Sequence, residues 1–160
     1  MKNKTSIIIV VWGIAVLCTL FLSSCKRPEV LDNSTLVNSA RNVALTFGPA
    51  YVPFFKEANV SDVQVFKKED YGDSRPQIRK QIGRKFYTVT FTYDSTAVKF
   101  DFGFAARVRI WKDTGEPLDV IFGNGWGRNF LFLSFKEQTN HSPNDYEKVA
   151  SDSIVKVPLQ

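Results

Sequence analysis

The chain has 160 residues, 44% hydrophobic and 14% aromatic, enough to build the core of one domain. Its 21 Lys and Arg against 16 Asp and Glu give a formal net charge of +5, a mild basicity that alone argues for no nucleic-acid partner. The one histidine, His141, excludes multi-histidine metal sites and leaves most Ser-His-Asp arrangements without partners.

Lys2 and Lys4 make a short positive start, and an uncharged run follows from Thr5 to Cys25. Its apolar centre, Ile7 to Leu22, is interrupted only by Gly13 and Thr19. These are the marks of a secretory signal. The terminal residues Leu22-Ser23-Ser24-Cys25 resemble the lipobox of bacterial lipoproteins: an aliphatic residue, two small residues, then cysteine. The resemblance covers residues 1–25 alone. It implies that residues 1–24 are removed, that Cys25 becomes diacylglyceryl-modified and that the new amino terminus is acylated. The competing reading is an uncleaved anchor. Against it, the 16-residue apolar centre is shorter than the ~20 residues that span a bilayer, and Lys26 and Arg27 would sit on the translocated side. Lys26 rather than Asp follows the cysteine, so by resemblance to known sorting rules the outer membrane is expected, with the domain facing the periplasm.

On that reading the loss of Lys2 and Lys4 leaves 19 basic against 16 acidic side chains, a net charge of +3. Cys18 leaves with the signal and Cys25 carries lipid, so no thiol remains for a disulfide, a cysteine zinc site or a nucleophile. No cofactor, metal site or catalytic residue is expected.

Residues 25–33 read as the lipidated cysteine and a short tether, and 34–160 as a single α+β domain. Leu36, Ala40, Val43, Ala44 and Phe47 recur at helical spacing after a cap at Ser34 and before Gly48-Pro49. Tyr51 to Phe55 is either a short helical turn or a packed connector. From Val60 the period becomes two: Val63, Val65 and Lys67 alternate with Gln64, Phe66 and Lys68, and a loop follows over Glu69 to Ser74.

The strongest strand runs from Lys85 to Tyr93, with Tyr87, Val89, Phe91 and Tyr93 on one face and Thr88, Thr90 and Thr92 on the other. A reversal at Asp94–Ala97 would pair it with Val98–Phe102, setting Tyr93 against Val98, Phe91 against Phe100 and Val89 against Phe102. Gly103 marks a bend. A second hairpin joins Phe104–Trp111 to the next strand through Asp113-Thr114-Gly115. Its register sets Ile110 against Leu118, Val108 against Val120, Arg109 against Asp119 and Lys112 against Glu116. Asn129 to Phe135 reads as a central strand and Gln138 to Asn144 as loop. Ser142 to Asp145 resembles a capping box before a helix bearing Tyr146, Val149 and Ala150, and Ile154 to Val157 is a last edge strand. The expected fold is a helix packed on an antiparallel meander of about five or six strands, as a curved sheet, sandwich or partial barrel.

Candidate sites are few. Arg75, Arg79, Lys80, Arg84 and Lys85 form an acid-free segment suited to an anionic surface, or a solvated turn with Ile78 and Ile82 tucked inward. Gly123-Asn124-Gly125-Trp126-Gly127-Arg128 lacks the Lys-Ser/Thr of a phosphate loop and joins two strands. It is a flexible interstrand loop, or a recognition loop in which Trp126 offers a flat face and Arg128 a donor fork. Asp101, Glu116 and Asp119 lie near strands, and Arg107 and Arg109 on a polar strand face. Three function classes remain. The first is a lipid-anchored envelope interaction domain without catalysis, whether accessory subunit, inhibitor or immunity-type protein, with another envelope protein or an anionic surface as partner. The others are a carrier of an apolar or lipid ligand and a carboxylate-dependent envelope hydrolase.

Overall fold

The structure, a computed structural model, describes residues 31–70, 75–139 and 155–156. Helix α1 spans Asn33–Phe47 and buries Leu36, Ala40, Val43, Ala44 and Phe47, the face its spacing predicts. The cap is Asp32 rather than Ser34. Its carboxylate accepts the Thr35 N–H at 2.7 Å and the Ser34 hydroxyl at 3.0 Å, so Ser34 falls inside the first turn. These hydrogen bonds, the Thr35 N–H foremost, hold the Asp32 carboxyl below the ordinary carboxylate range. A depressed folded-state pKa gives stability that is present above the unfolded pKa and lost as pH falls through the folded one. The denaturation midpoint should therefore stay level from neutral pH to about 5 and fall below about 4. Asp32→Asn, which keeps a cap but does not titrate, should flatten that fall.

After Gly48 a 3₁₀ helix, Pro49–Phe54, carries buried Tyr51 under the sheet. Strands β1 (Ala58–Val60) and β2 (Gln64–Val65) replace the single strand expected here. Val63 and Val65 are exposed while Phe66 is buried. A 3₁₀ turn, Lys68–Asp70, and the short helix α2, Pro76–Arg79, lead to β3, Lys85–Phe91.

The first predicted hairpin does not form. β4 (Val98–Lys99) pairs instead with β8 (Val155–Lys156), where a last strand was expected, and β3 lies between β1 and β2 on one side and β5 (Ala106–Trp111) on the other. Phe91 faces Ala106 rather than Phe100, and Val89 faces Val108 rather than Phe102. The physical reason is the length of the ladder. β5 offers β3 six paired residues of matching alternation, and small Ala106 leaves room for Phe55 to stack on Phe91 at 4.2 Å.

The second hairpin forms with β6 (Pro117–Phe122). Val108 pairs with Val120 and Arg109 with Asp119 as expected, but Ile110 pairs with Pro117, so a bulge leaves Leu118 outside the ladder. Leu118 turns into a small second cluster with Phe66, Ile78, Phe86 and Trp111.

Strand β7 is only Gly127–Asn129 and lies at the sheet edge, not its centre. Asn129 ends it by accepting the Leu131 N–H on its side chain at 2.7 Å. Ser134 and Glu137 then form a reciprocal cap that starts helix α3, Phe135–Thr139, where strand and loop were read. Ser142–Asp145, His141, Tyr146, Val149 and Ala150 lie outside the described residues.

The result is α+β: one main helix against an open antiparallel sheet in the order β1-β3-β5-β6-β7, with β2 also on β3. The helix side is densely filled. A Cβ on Gly123 would stand 2.5 Å from the Phe104 carbonyl oxygen and 2.6 Å from the Phe100 ring. Gly123→Ala should therefore cost about 1–3 kcal/mol in a urea unfolding experiment.

Candidate functional site

Strand alternation gives the sheet two unlike faces. Val89, Phe91, Ala106, Val108, Ile110, Val120 and Phe122 face α1 and make the main core. The opposite face carries Thr88, Thr90, Arg107, Arg109 and Asp119. A cleft of about 460 Å³ opens there, lined also by Ser61 from the β1–β2 connection and by Gln64 from β2. An adjoining cleft of about 270 Å³, beside Arg128 and Asn129, shares Arg109 and Asp119 with it.

The two clefts meet at an ion pair. Arg109 Nε donates to both Asp119 oxygens, at 2.9 and 3.1 Å, and Nη2 donates to Oδ2. Asp119 is the one buried charged side chain among the described residues, only 4% exposed. The bidentate fork uses the full planarity of arginine and holds the carboxylate in one orientation. Arg109 also lies over the Phe86 ring at 5.3 Å. Arg107 lies over Phe104 at 4.3 Å and stands opposite Thr90 in the ladder. Thr88 donates its N–H to Ser61 Oγ at 3.0 Å and its hydroxyl to Gln64 Oε1 at 3.0 Å, which ties the β1–β2 connection to the rim.

Neither a known protein family, a characterised protein nor a solved structure matches the chain. Among the described residues no three His, Cys, Asp or Glu side chains are grouped to hold a metal, and no helix is long and apolar enough to cross a membrane.

The sequence-predicted sites fall in two other places. In the 75–85 segment Ile78 is buried and Ile82 is 45% exposed, so only the first of the two tucks inward. Arg84 is committed to structure. It makes a bidentate pair with Asp113, at 3.0 and 2.7 Å, and lies 3.9 Å from the Trp111 ring centroid. That guanidinium holds the Asp113 carboxyl below the ordinary carboxylate range. Arg79, Lys80 and Lys85 are exposed, and Arg75 covers the Phe132 ring at 3.9 Å.

Trp126 lies on the β6–β7 turn and Arg128 in β7 just after it, opposite Val120. Gly125 has φ +83°, and the Phe122 N–H donates to the Trp126 carbonyl at 2.7 Å, which closes the turn. One face of the Trp126 indole stacks on Phe122 at 5.4 Å, and Arg128 approaches its ring at 5.8 Å. The basic segment and the Trp126 turn thus lie apart from the cleft, except that Arg128 lines its smaller neighbour.

The cleft itself was only partly legible. The Thr88-Thr90 row and the Arg107-Arg109 row are each visible in the sequence, but only the β3–β5 pairing sets them side by side.

Proposed function

We propose that this chain is a lipid-anchored binding domain of the bacterial cell envelope, held through Cys25, that receives a partner protein on the open face of its sheet and has no catalytic role. An accessory subunit, an inhibitor or an immunity-type protein would all fit. The carrying observation is the polar cleft of about 460 Å³ on a sheet face that α1 leaves uncovered, framed by a rigid Arg109–Asp119 pair.

Two features favour binding over catalysis. Both Asp119 oxygens are already engaged by Arg109, which removes its carboxylate as a free acid or base. Asp101 lies beside Phe102, whose N–H bonds Gly123 past the end of β6, whereas Glu116 precedes the start of that strand. Asp101, Glu116 and Asp119 are thus strung along β6 instead of converging. Carriage of an apolar ligand is disfavoured on the helix side, where Tyr51, Phe91, Phe100 and Phe122 fill the interior.

The test is comparative crosslinking of the lipidated protein in intact envelopes. Arg107→Glu should reduce recovery of one specific envelope protein at least tenfold, while Lys136→Glu on α3 should not. Phe135 seats α3 on the helix side against Phe47, so position 136 serves as the control. Equal recovery with both variants would refute the assignment of the face.

A further inference from the structure

The lipid-anchor reading fixes only a point of attachment. The structure adds where Leu31, the first described residue after Cys25, lies in the domain. Leu31 packs beside the β5–β6 turn, where a Cβ on Gly115 would lie 3.4 Å from Leu31 Cδ2. The same turn carries Asp113, the partner of Arg84. Lys112 N–H also bonds the Lys85 carbonyl at 2.9 Å. Leu31 and the basic segment therefore lie at one end of the sheet.

Apolar side chains are exposed at that same end. Leu131 packs into the cluster of Ile78, Trp111 and Leu118, and the chain then presents Phe132 and Leu133, 40% and 48% exposed, with Arg75 lying over the Phe132 ring. Ile82 is 45% exposed one turn beyond Ile78. Exposed Phe, Leu and Ile leading out of one buried cluster, among arginines and lysines, are unusual for a solvated surface, and the combination suits a headgroup interface.

Reach makes the coincidence consequential. Cys25 lies six residues before Leu31, which extends to at most about 20 Å. A domain of this length has a radius of gyration of roughly 14 Å. So short a tether keeps the end it leaves from nearest the lipid.

We propose that the β5–β6 turn end of the domain rests on the anionic phospholipid surface that holds Cys25, with Phe132, Leu133 and Ile82 entering the interface and Arg75, Arg79 and Lys80 over the headgroups. The proposal rests on the lipid-anchor reading. Arg79 and Lys80 each add about a fivefold preference for the docked state on an anionic surface. Arg84, neutralised by Asp113, adds little.

The experiment uses the lipidated protein, whose Cys25 is consumed, with one added thiol carrying a polarity-sensitive fluorophore. Leu133→Cys places the probe in the patch, and Ser95→Cys places it past the far end of β3. Vesicles are phosphatidylcholine alone or phosphatidylcholine with an equal part of phosphatidylglycerol. The L133C probe should shift to the blue and brighten on the anionic vesicles, less on the neutral ones, and the S95C probe should do neither. Adding Arg79→Gln and Lys80→Gln should lower the docked-to-undocked ratio about fivefold per charge. Protein that floats with the vesicles while L133C behaves like S95C would overturn the docking and leave the anchor standing. Protein that does not float at all would overturn both.

Discussion

Replacing Asp119 by alanine should lower the unfolding free energy by about 3–5 kcal/mol, because it removes the bidentate carboxylate partner of a mostly buried guanidinium, that of Arg109. The side chains of the pair are only 17% and 5% exposed, so solvent screening removes little of the effect. Removing both charges together should cost far less. Arg109→Met with Asp119→Leu exchanges a desolvated pair for apolar contact with Phe86, and such exchanges are often neutral. Urea unfolding with an unchanged slope would measure both variants. A loss under about 1 kcal/mol for Asp119→Ala would mean that the pair behaves as a surface salt bridge, and the rigid frame assigned to the cleft would have to be abandoned.

Phe122→Ala should cost a similar amount, about 3–5 kcal/mol, through lost transfer energy and the cavity left behind. Its ring is fully buried, stacks on Tyr51 at 4.6 Å and on Trp126 at 5.4 Å, and abuts Gly48. Little nearby can relax into the gap, since Tyr51 is itself clamped against Phe100 at 5.4 Å. The change should also release Trp126, seen as a red shift and brightening or quenching of its fluorescence at urea concentrations where the fold persists. Trp126→Ala, removing a half-buried ring from the same stack, should cost clearly less.

The parts of the fold that could be read from the sequence are those decided by local pattern. The face of α1 follows from Leu36, Ala40, Val43, Ala44 and Phe47 at helical spacing, and the Val108–Val120 and Arg109–Asp119 pairs follow from the matching alternation of their strands, although the turn closes on Trp111 and Glu116 rather than on the expected Lys112 and Glu116. The partner of β3 was not decided in this way. Val98–Phe102 and Ala106–Trp111 offer β3 the same alternation, and only the number of ladder bonds and the size of residue 106 separate them. The bulge at Leu118 was hidden because an apolar residue suits either side of the strand. At Asn129 to Phe135 hydrophobicity misled. The side-chain bond of Asn129 and the Ser134–Glu137 cap override a run that reads as strand, and both signals stand in the sequence.

The candidate site divides along the same line. Arg84 and Trp126 were singled out as available side chains, yet Arg84 is bound to Asp113 and one face of Trp126 is given to Phe122. Long-range packing made those assignments, and it also brought Thr88 and Thr90 beside Arg107 and Arg109. The exposed pair Phe132–Leu133 stands out only once Phe130 is seen to be buried and Leu131 half-buried just before it.

Everything proposed for function depends on the attachment at Cys25, and the intact mass of the protein extracted from host membranes tests it most directly. The mass should match a chain that begins at Cys25, lacks residues 1–24 and carries diacylglyceryl and amide-linked acyl groups. A mass that retains Met1, or that begins elsewhere without lipid, would contradict it.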